Sequence, residues 1–282
     1  MPTGAHAGSA GVCAWSAGRE PKAARDVRVL RLLGVGWLYH LKMIARSPFE
    51  GYGQVIYPLF FATVAFFVFR AGDSPRSLVY ASLGAAVMGM WSATSTTAGG
   101  AMQRERWHGT LELLVGTPPH FALVLLPITL AMSTIGIYSL GATLLYGRFL
   151  FGIDLVVVHP LQFGIAIVGT VLSFGALGFV FAVTFVRFRA AWALGNLFEY
   201  PVWLIGGFLV PLVLLPHWVR PISWVLAPTW GMNAIREAAA GGAPLDDLLM
   251  CLGLGALYVG LGIFLTERIL HSARVNAALQ LS

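Results

Sequence analysis

The chain has 282 residues, of which 57% are hydrophobic and only 11% are charged, and its mean hydropathy is +0.77. Soluble domains are roughly 45–50% apolar and about 25% charged, so these charges are too few to cover a water-soluble surface. The net charge of +6 does not indicate nucleic-acid binding, because the Lys and Arg residues lie between hydrophobic runs. Cys13 and Cys251 provide no disulfide framework and no CxxC zinc motif. The composition predicts an all-α protein with several membrane spans.

The N-terminal region has two predicted parts. Residues 1–26 are rich in Ala, Gly and Ser and lack the apolar run of a secretory signal, so we expect a flexible cytoplasmic tail. Residues 27–47 form an amphipathic helix that Pro48 ends. Its basic face holds Arg28, Arg31, Tyr39, Lys42 and Arg46, and its apolar face holds Val27, Leu30, Trp37, Leu41 and Ile44. Such a helix lies in the headgroup region of a membrane, and an amphipathic helix on a soluble partner domain is the alternative.

Six hydrophobic runs follow. The length of each run is close to the about 20 residues that an α-helix needs to cross the hydrocarbon core. We place these spans at 52–69, 78–102, 121–147, 160–186, 190–215 and 245–266. With their connections they form a predicted transmembrane domain of residues 48–270, before a cytoplasmic tail of residues 271–282. Small residues recur in three spans: Ala81, Ala85 and Gly89; Gly164, Gly169, Ser173, Gly175 and Gly178; Gly253, Gly255, Gly260 and Gly262. They predict close helix packing. Since no internal repeat is visible, a two-fold symmetric pathway requires a second subunit.

The distribution of basic residues predicts the orientation. Thirteen of the 18 Lys and Arg residues lie on one side: Arg19, Lys22, Arg25, Arg28, Arg31, Lys42, Arg46, Arg104, Arg106, Arg187, Arg189, Arg268 and Arg274. The other side has Arg70, Arg76, Arg148, Arg220 and Arg236. Because positive charge accumulates in cytoplasmic loops, both termini are predicted to be cytoplasmic.

Motifs of catalysis and of ATP binding are missing from the sequence. It has no HExxH zinc motif and no GxSxG nucleophile elbow, and all seven histidines lie outside the span interiors. Neither Lys22 nor Lys42 follows Gly or precedes Ser or Thr, so the chain has no P-loop. If ATP drives this protein, another polypeptide binds the nucleotide.

Residues 103–119, between the second and third spans, combine charged and apolar side chains. Thr110 is placed to cap a short helix, which the run of Thr117, Pro118 and Pro119 stops. A short amphipathic helix at this position is either an ordinary surface loop or a docking element that fits a partner's groove.

Two motifs resemble the ABC-2 type transporter permeases, a family that includes daunorubicin-resistance and nodulation-factor export subunits. The first runs Glu105-Arg106-x-x-Gly109-Thr110-Leu111-Glu112-x-Leu114-x-x-Thr117-Pro118. The second comprises Gly207-x-x-x-Pro211, Leu215-Pro216-x-Trp218, Ala227-Pro228-Thr229-Trp230 and Ala234-Ile235-Arg236. Ala227 stands where this family commonly has Asn, and Thr229 directly follows Pro228. The resemblance covers roughly residues 27–270.

The resemblance implies a type V exporter fold whose cytoplasmic face contacts separate ATPase subunits. It places Glu105, Arg106, Gly109, Thr110 and Glu112 of a coupling helix at that contact, with ATP and Mg²⁺ on the partner. It also implies short re-entrant outer helices within residues 216–242. The residues matched in and beside that outer segment are Pro211, Pro216, Trp218, Pro228 and Arg236. Independently, Trp218, Trp224 and Trp230 favour a membrane interface, and prolines prevent one continuous helix.

Glu199 is predicted to lie inside the fifth span, one turn after Asn196. A carboxylate at that depth is costly and faces a cavity or a partner, and one interpretation is a role in the translocation path or its gate. Alternatively, Arg187 or Arg189 draws the start of the span inward and leaves Glu199 near the interface. The hydroxyl run from Ser92 to Thr97 either meets substrate or, as we favour, bonds to carbonyls of its own helix or to a neighbouring helix.

These observations predict a permease subunit of an ATP-driven exporter in the plasma membrane. We expect it to pair with a second permease subunit and two ATPases, and to move a hydrophobic or amphiphilic drug, lipid or antibiotic. Export of polysaccharide or glycolipid is the alternative within the family. A gradient-driven transporter is disfavoured because only Glu199 lies deep, and an intramembrane enzyme because its motifs are missing.

Overall fold

The computed structural model describes residues 22–46, 48–70, 75–107, 109, 121–154, 156–185 and 191–276. The described residues form helices and contain no strand. The helices are α1 (Lys22–Ala45), α2 (Pro48–Arg70), α3 (Pro75–Trp107), α4 (Ala122–Phe151), α5 (Pro160–Phe185), α6 (Ala191–Ile205), α7 (Arg220–Val225), α8 (Ala227–Ala240) and α9 (Leu245–Asn276). A short 3₁₀ helix, Leu212–Leu214, lies between α6 and α7.

The long helices alternate in direction, which gives the bundle two ends. Trp107 closes α3 at what we call the near end, where α4 and α6 begin. At the opposite, far end α3 begins, α4 and α6 finish, and α7 and α8 are inserted before α9. Contacts along α3 and α6 follow this antiparallel order, because Gly195 approaches Ser95 whereas Phe208 approaches Gly84.

Helix α3 is the centre of the bundle and packs against α2, α4, α5, α6 and α8. The fully buried Trp91 lies in this core, with its ring edge-on to Phe174 of α5 at 5.5 Å between centroids. Small residues allow the close packing, as the sequence predicted. Ala81 and Ala85 are buried, and a Cβ on Gly178 would meet Thr94 at 2.9 Å. The prediction fails at Gly164, Gly253 and Gly260, which have open space beside them.

Helix α1 packs along α4, where Ile44 joins a buried cluster with Phe121 and Leu125. Trp37 donates a hydrogen bond from Nε1 to Thr134 Oγ1 at 3.1 Å. Only part of the predicted apolar face therefore packs against the bundle, because Val27 and Leu30 are 65% and 69% exposed. Helix α1 also begins at Lys22, so residues 22–26 are helical and not part of a tail. Residues 1–21 lie outside the described residues.

Three described helices are long and apolar enough to cross a membrane: Ala122–Phe151, Pro160–Phe185 and Leu245–Ile269. They match the third, fourth and sixth predicted spans. Helices α2, α3 and α6 occupy the other three predicted positions, and six spans remains a prediction. The last of the three, α9, also continues through Asn276, so residues 271–276 are helical, contrary to the prediction of a tail there.

The predicted fifth span is too long. Helix α6 ends at Ile205, ten residues before the predicted end at Leu215. Gly207 adopts φ +72°, a left-handed conformation that terminates helices. The N–H of Gly207 donates to Leu204 O, and the N–H of Phe208 donates to Trp203 O. This is the hydrogen-bond pattern of a Schellman motif. Pro211 follows in extended conformation, so the chain turns away from the helix axis.

Candidate functional site: the α3–α6 contact and the far-end segment

Glu199 of α6 faces α3 and is 1% exposed. Its carboxylate accepts a hydrogen bond from the Ser92 hydroxyl of α3. Among the described residues, no cationic side chain forms an ion pair with this carboxylate. A buried carboxyl with a neutral hydroxyl partner is an expensive arrangement, because desolvation of the charged form is not compensated by an opposite charge. Asn196, the other predicted residue, is only partly buried.

The two helices approach closely beside this pair. A Cβ on Gly195 would lie 2.8 Å from Ser95 O, so only glycine allows this separation. Two neighbouring hydroxyls bond to carbonyls of their own helix, as the sequence predicted: Thr94 donates to Met90 O at 3.0 Å and Thr96 to Ser92 O at 2.6 Å. Ser92 bonds to the neighbouring helix instead. The buried Ser95 hydroxyl has no hydrogen-bond partner among the described residues. The structural interpretation of the hydroxyl run is therefore confirmed for Ser92, Thr94 and Thr96.

Aromatic rings enclose the α3–α6 contact on the side of α5. Phe198, which precedes Glu199, stacks on Phe181 at 5.3 Å between centroids. Phe181 in turn meets the edge of Trp91 at 6.0 Å. The carboxylate itself is buried, which strengthens its dependence on the Ser92 hydroxyl.

At the far end, Arg236 of α8 binds the backbone just beyond α6. Its Nη1 donates to Gly207 O at 2.8 Å and its Nη2 to Phe208 O at 2.5 Å. The guanidinium also lies over Tyr80 of α3, with Cζ 3.5 Å from the ring centre. Tyr80 donates from its hydroxyl to Gly207 O at 3.3 Å. Arg236 thus links α8, on which it lies, to α3 and to the turn after α6.

Two further hydroxyl groups hold the far-end segment, which we define as residues 206–240. Ser223 of α7 donates to Ile205 O at 2.7 Å. Tyr258 of α9 donates to Val225 O and accepts from Ala227 N at 3.3 Å, so it bridges the break between α7 and α8. The segment is therefore fastened to the bundle at several points.

The far-end segment contains short helices, as predicted for residues 216–242. Pro221 and Pro228 lie in the first turns of α7 and α8. Backbone N–H groups in a first turn have no partner within the helix, so a proline there costs no hydrogen bond. Pro216 begins the turn before α7, since Val219 N bonds to its carbonyl at 3.0 Å. Trp218 and Trp224 are exposed, and the Trp230 indole donates to Trp224 O at 2.8 Å.

The predicted coupling residues fall at the near end. Glu105 and Arg106 lie in the last turns of α3, so residues 103–107 continue that helix and do not begin a separate one. Gly109 adopts φ +66° just after it. Thr110 and Glu112 lie outside the described residues, as does the rest of the predicted coupling helix through residue 119.

Sequence reasoning missed Tyr80, Ser223 and Tyr258. A single tyrosine or serine in an apolar run carries no periodic signal, and its partner is a backbone carbonyl far along the chain. The Gly206-Gly207 pair shortly before Pro211 was the available signal that α6 ends early.

In the part of the chain that the structure describes there are helices and no strands, and three helices are apolar enough to cross a membrane, which is typical of an integral membrane protein. Residues 32–239 match the sequence pattern of the ABC-2 type transporter family. The match covers most of the chain, and the protein belongs to that family. It is thus the membrane domain of an ABC transporter permease, a class that normally works with ATP-binding subunits. No curated protein is similar enough to the chain to be matched to it.

Proposed function

We propose that this chain is the permease subunit of an exporter in the plasma membrane, with both termini in the cytoplasm. It pairs with a second permease subunit and with two cytoplasmic ATPase subunits. The cargo is a hydrophobic or amphiphilic molecule such as a drug, a lipid or an antibiotic. The proposal is supported chiefly by the family match over residues 32–239. It also agrees with the outward-facing apolar surface of the long helices.

ATP and Mg²⁺ belong on the partner subunit, because this chain has no P-loop lysine. Among the described residues, no group of His, Cys, Asp and Glu is arranged to hold a metal ion. The partner supplies energy through hydrolysis, and this chain contributes contact, shape and mechanical coupling. Glu105, Arg106, Gly109, Thr110 and Glu112 form the proposed contact with the ATPase, at and directly after the end of α3.

The α3–α6 contact is the proposed gate. Glu199 and Ser92 hold the two helices together by one buried hydrogen bond, and Gly195 keeps them close. When α3 is displaced at the near end, α6 either follows or slides against it. Asn196 lies one turn nearer the same end and borders this gate. The far-end segment, with Pro211, Pro216, Trp218, Pro228 and Arg236, forms the outer rim of the path.

Co-expression with the ATPase encoded beside this chain tests the proposal. The complex is purified by a tag on the permease, and ATP hydrolysis is measured in nanodiscs. We expect co-purification, and at least a several-fold loss of permease-stimulated hydrolysis in Glu105→Ala/Glu112→Ala. The matched control is Asp154→Ala/Asp246→Ala, which removes two exposed carboxylates at the far end. A permease that purifies without any ATPase under gentle detergent contradicts the proposal and favours gradient-driven transport.

A further inference from the structure

The C-terminal carbonyls of α6 are a natural place to attach another element. After the Schellman motif closes the helix, the carbonyls of Ile205, Gly207 and Phe208 point out of it. Each accepts from a side chain outside α6: Ile205 from Ser223, and the other two from Arg236. Ser223 of α7 therefore ties the far-end segment to the end of α6, whereas Arg236 of α8 holds the turn directly after α6, which is itself part of the segment.

Tyr80 brings α3 into the same attachment. Its ring lies under the Arg236 guanidinium and its hydroxyl donates to Gly207 O. One turn along α3, Gly84 lies directly against the Phe208 carbonyl, and a Cβ there would overlap that oxygen. A guanidinium over an aromatic face is held by cation–π attraction, so the Tyr80–Arg236 contact, which we call the joint, resists separation.

Helix α3 continues without a break from Tyr80 to Trp107, which is about 40 Å at 1.5 Å per residue. It therefore connects the joint at the far end with the proposed ATPase contact at the near end. A rigid helix transmits displacement along its length, and the far-end segment follows only if it is fastened to α3. Tyr80 is the side chain of α3 that meets Arg236.

We propose that Tyr80 and Arg236 are positioning residues that make the far-end segment move together with α3 during each transport cycle. This inference rests on the proposed function, because it requires an ATPase that displaces α3. Neither residue contacts cargo in this role. When the Tyr80–Arg236 contact is lost, ATP hydrolysis continues, but the far-end segment follows the displacement of α3 much less.

The experiment measures that response without a known cargo. Spin labels at Trp218→Cys and Phe149→Cys report the distance from the far-end segment to the end of α4, and both sites are more than 70% exposed. Cys13 is replaced, whereas Cys251 is buried and stays. The full complex is measured in nanodiscs with and without ATP and vanadate.

Three variants separate the ring of Tyr80 from its hydroxyl group. Tyr80→Leu removes the ring but leaves both Arg236 hydrogen bonds. Tyr80→Phe keeps the ring and loses only the hydroxyl, and exposed Tyr138→Leu is the control.

We expect the nucleotide-dependent distance change to occur in the parent complex, in Tyr80→Phe and in Tyr138→Leu. In Tyr80→Leu the change is expected to fall by at least half, while ATP hydrolysis stays within about twofold of the parent rate, since a cation–π contact does not bear on the nucleotide site. An undiminished distance change in Tyr80→Leu overturns the inference but leaves the proposed function standing. Equal loss of hydrolysis and of thermal stability in Tyr80→Leu and Tyr80→Phe also overturns it, because the residue is then structural. A complex without an ATPase contradicts the proposed function itself.

Discussion

Ser92 on α3 donates a hydrogen bond to the buried carboxylate of Glu199 on α6, midway along the antiparallel contact of the two helices. The pair is polar, lies in an aromatic environment, and involves no cation among the described residues. In such surroundings, removing one partner is more damaging than removing both, since the remaining polar group is left unsatisfied. This asymmetry separates a structural role of the pair from a functional one.

Ser92→Ala is expected to lower the free energy of unfolding by about 1–3 kcal/mol, because the buried carboxyl loses its partner. Ser92→Ala/Glu199→Leu is expected to recover most of that loss. Thermal unfolding in detergent measures both changes. If the double variant folds normally and still exports cargo at the parent rate, Glu199 has no role in the gate.

Gly84→Ala is expected to destabilise the protein by about 1–3 kcal/mol, since the added methyl group overlaps the Phe208 carbonyl oxygen and forces the helices apart. The control, Gly100→Ala on the same helix, meets no atom within 4 Å. It should leave stability unchanged or raise it, because alanine has the better helix propensity. Equal melting temperatures for the two variants would show that α3 does not pack against the turn after α6 as described.

Ser223→Ala is expected to reduce stability by about 0.5–1.5 kcal/mol, because Ile205 O loses its hydrogen bond. Thr184→Ala is the control, since Thr184 is exposed and bonds only within its own helix. Ser223→Ala and Arg236→Gln act on the same end of α6, so their effects should not add. Strict additivity in a double-mutant cycle argues against a shared attachment.

Tyr258→Phe is expected to cost about 1–2 kcal/mol, because the hydroxyl bridges Val225 O and Ala227 N across the break between α7 and α8. Tyr138→Phe, at an exposed tyrosine of α4, should change stability by less than about 0.5 kcal/mol. Limited proteolysis gives a second measurement. Cleavage within residues 216–226 should accelerate in Tyr258→Phe only, and equal rates in both variants contradict the bridging role.

The family is recognisable from the amino-acid sequence because its motifs are local. The run from Glu105 to Pro118 and the Gly207–Arg236 series are short strings whose order suffices for a resemblance, and the match over residues 32–239 confirmed it. The positions of the long helices were also predictable, since a run of about 20 consecutive apolar residues is typical of a membrane-spanning helix. The end of α6 was missed because the apolar run continues to Leu215 although the backbone turns at Gly207.

Hydrophobicity by itself determined that this chain is helical and belongs in a membrane, because composition and run length act locally along the chain. Only the tertiary structure decided that Glu199 meets Ser92 and that Arg236 holds Tyr80 and the end of α6. The first of these pairs is 107 residues apart in sequence, and Arg236 lies 29 residues from Gly207. No periodicity relates these partners, and they meet because Gly84 and Gly195 let two antiparallel helices approach closely enough for side chains to reach across.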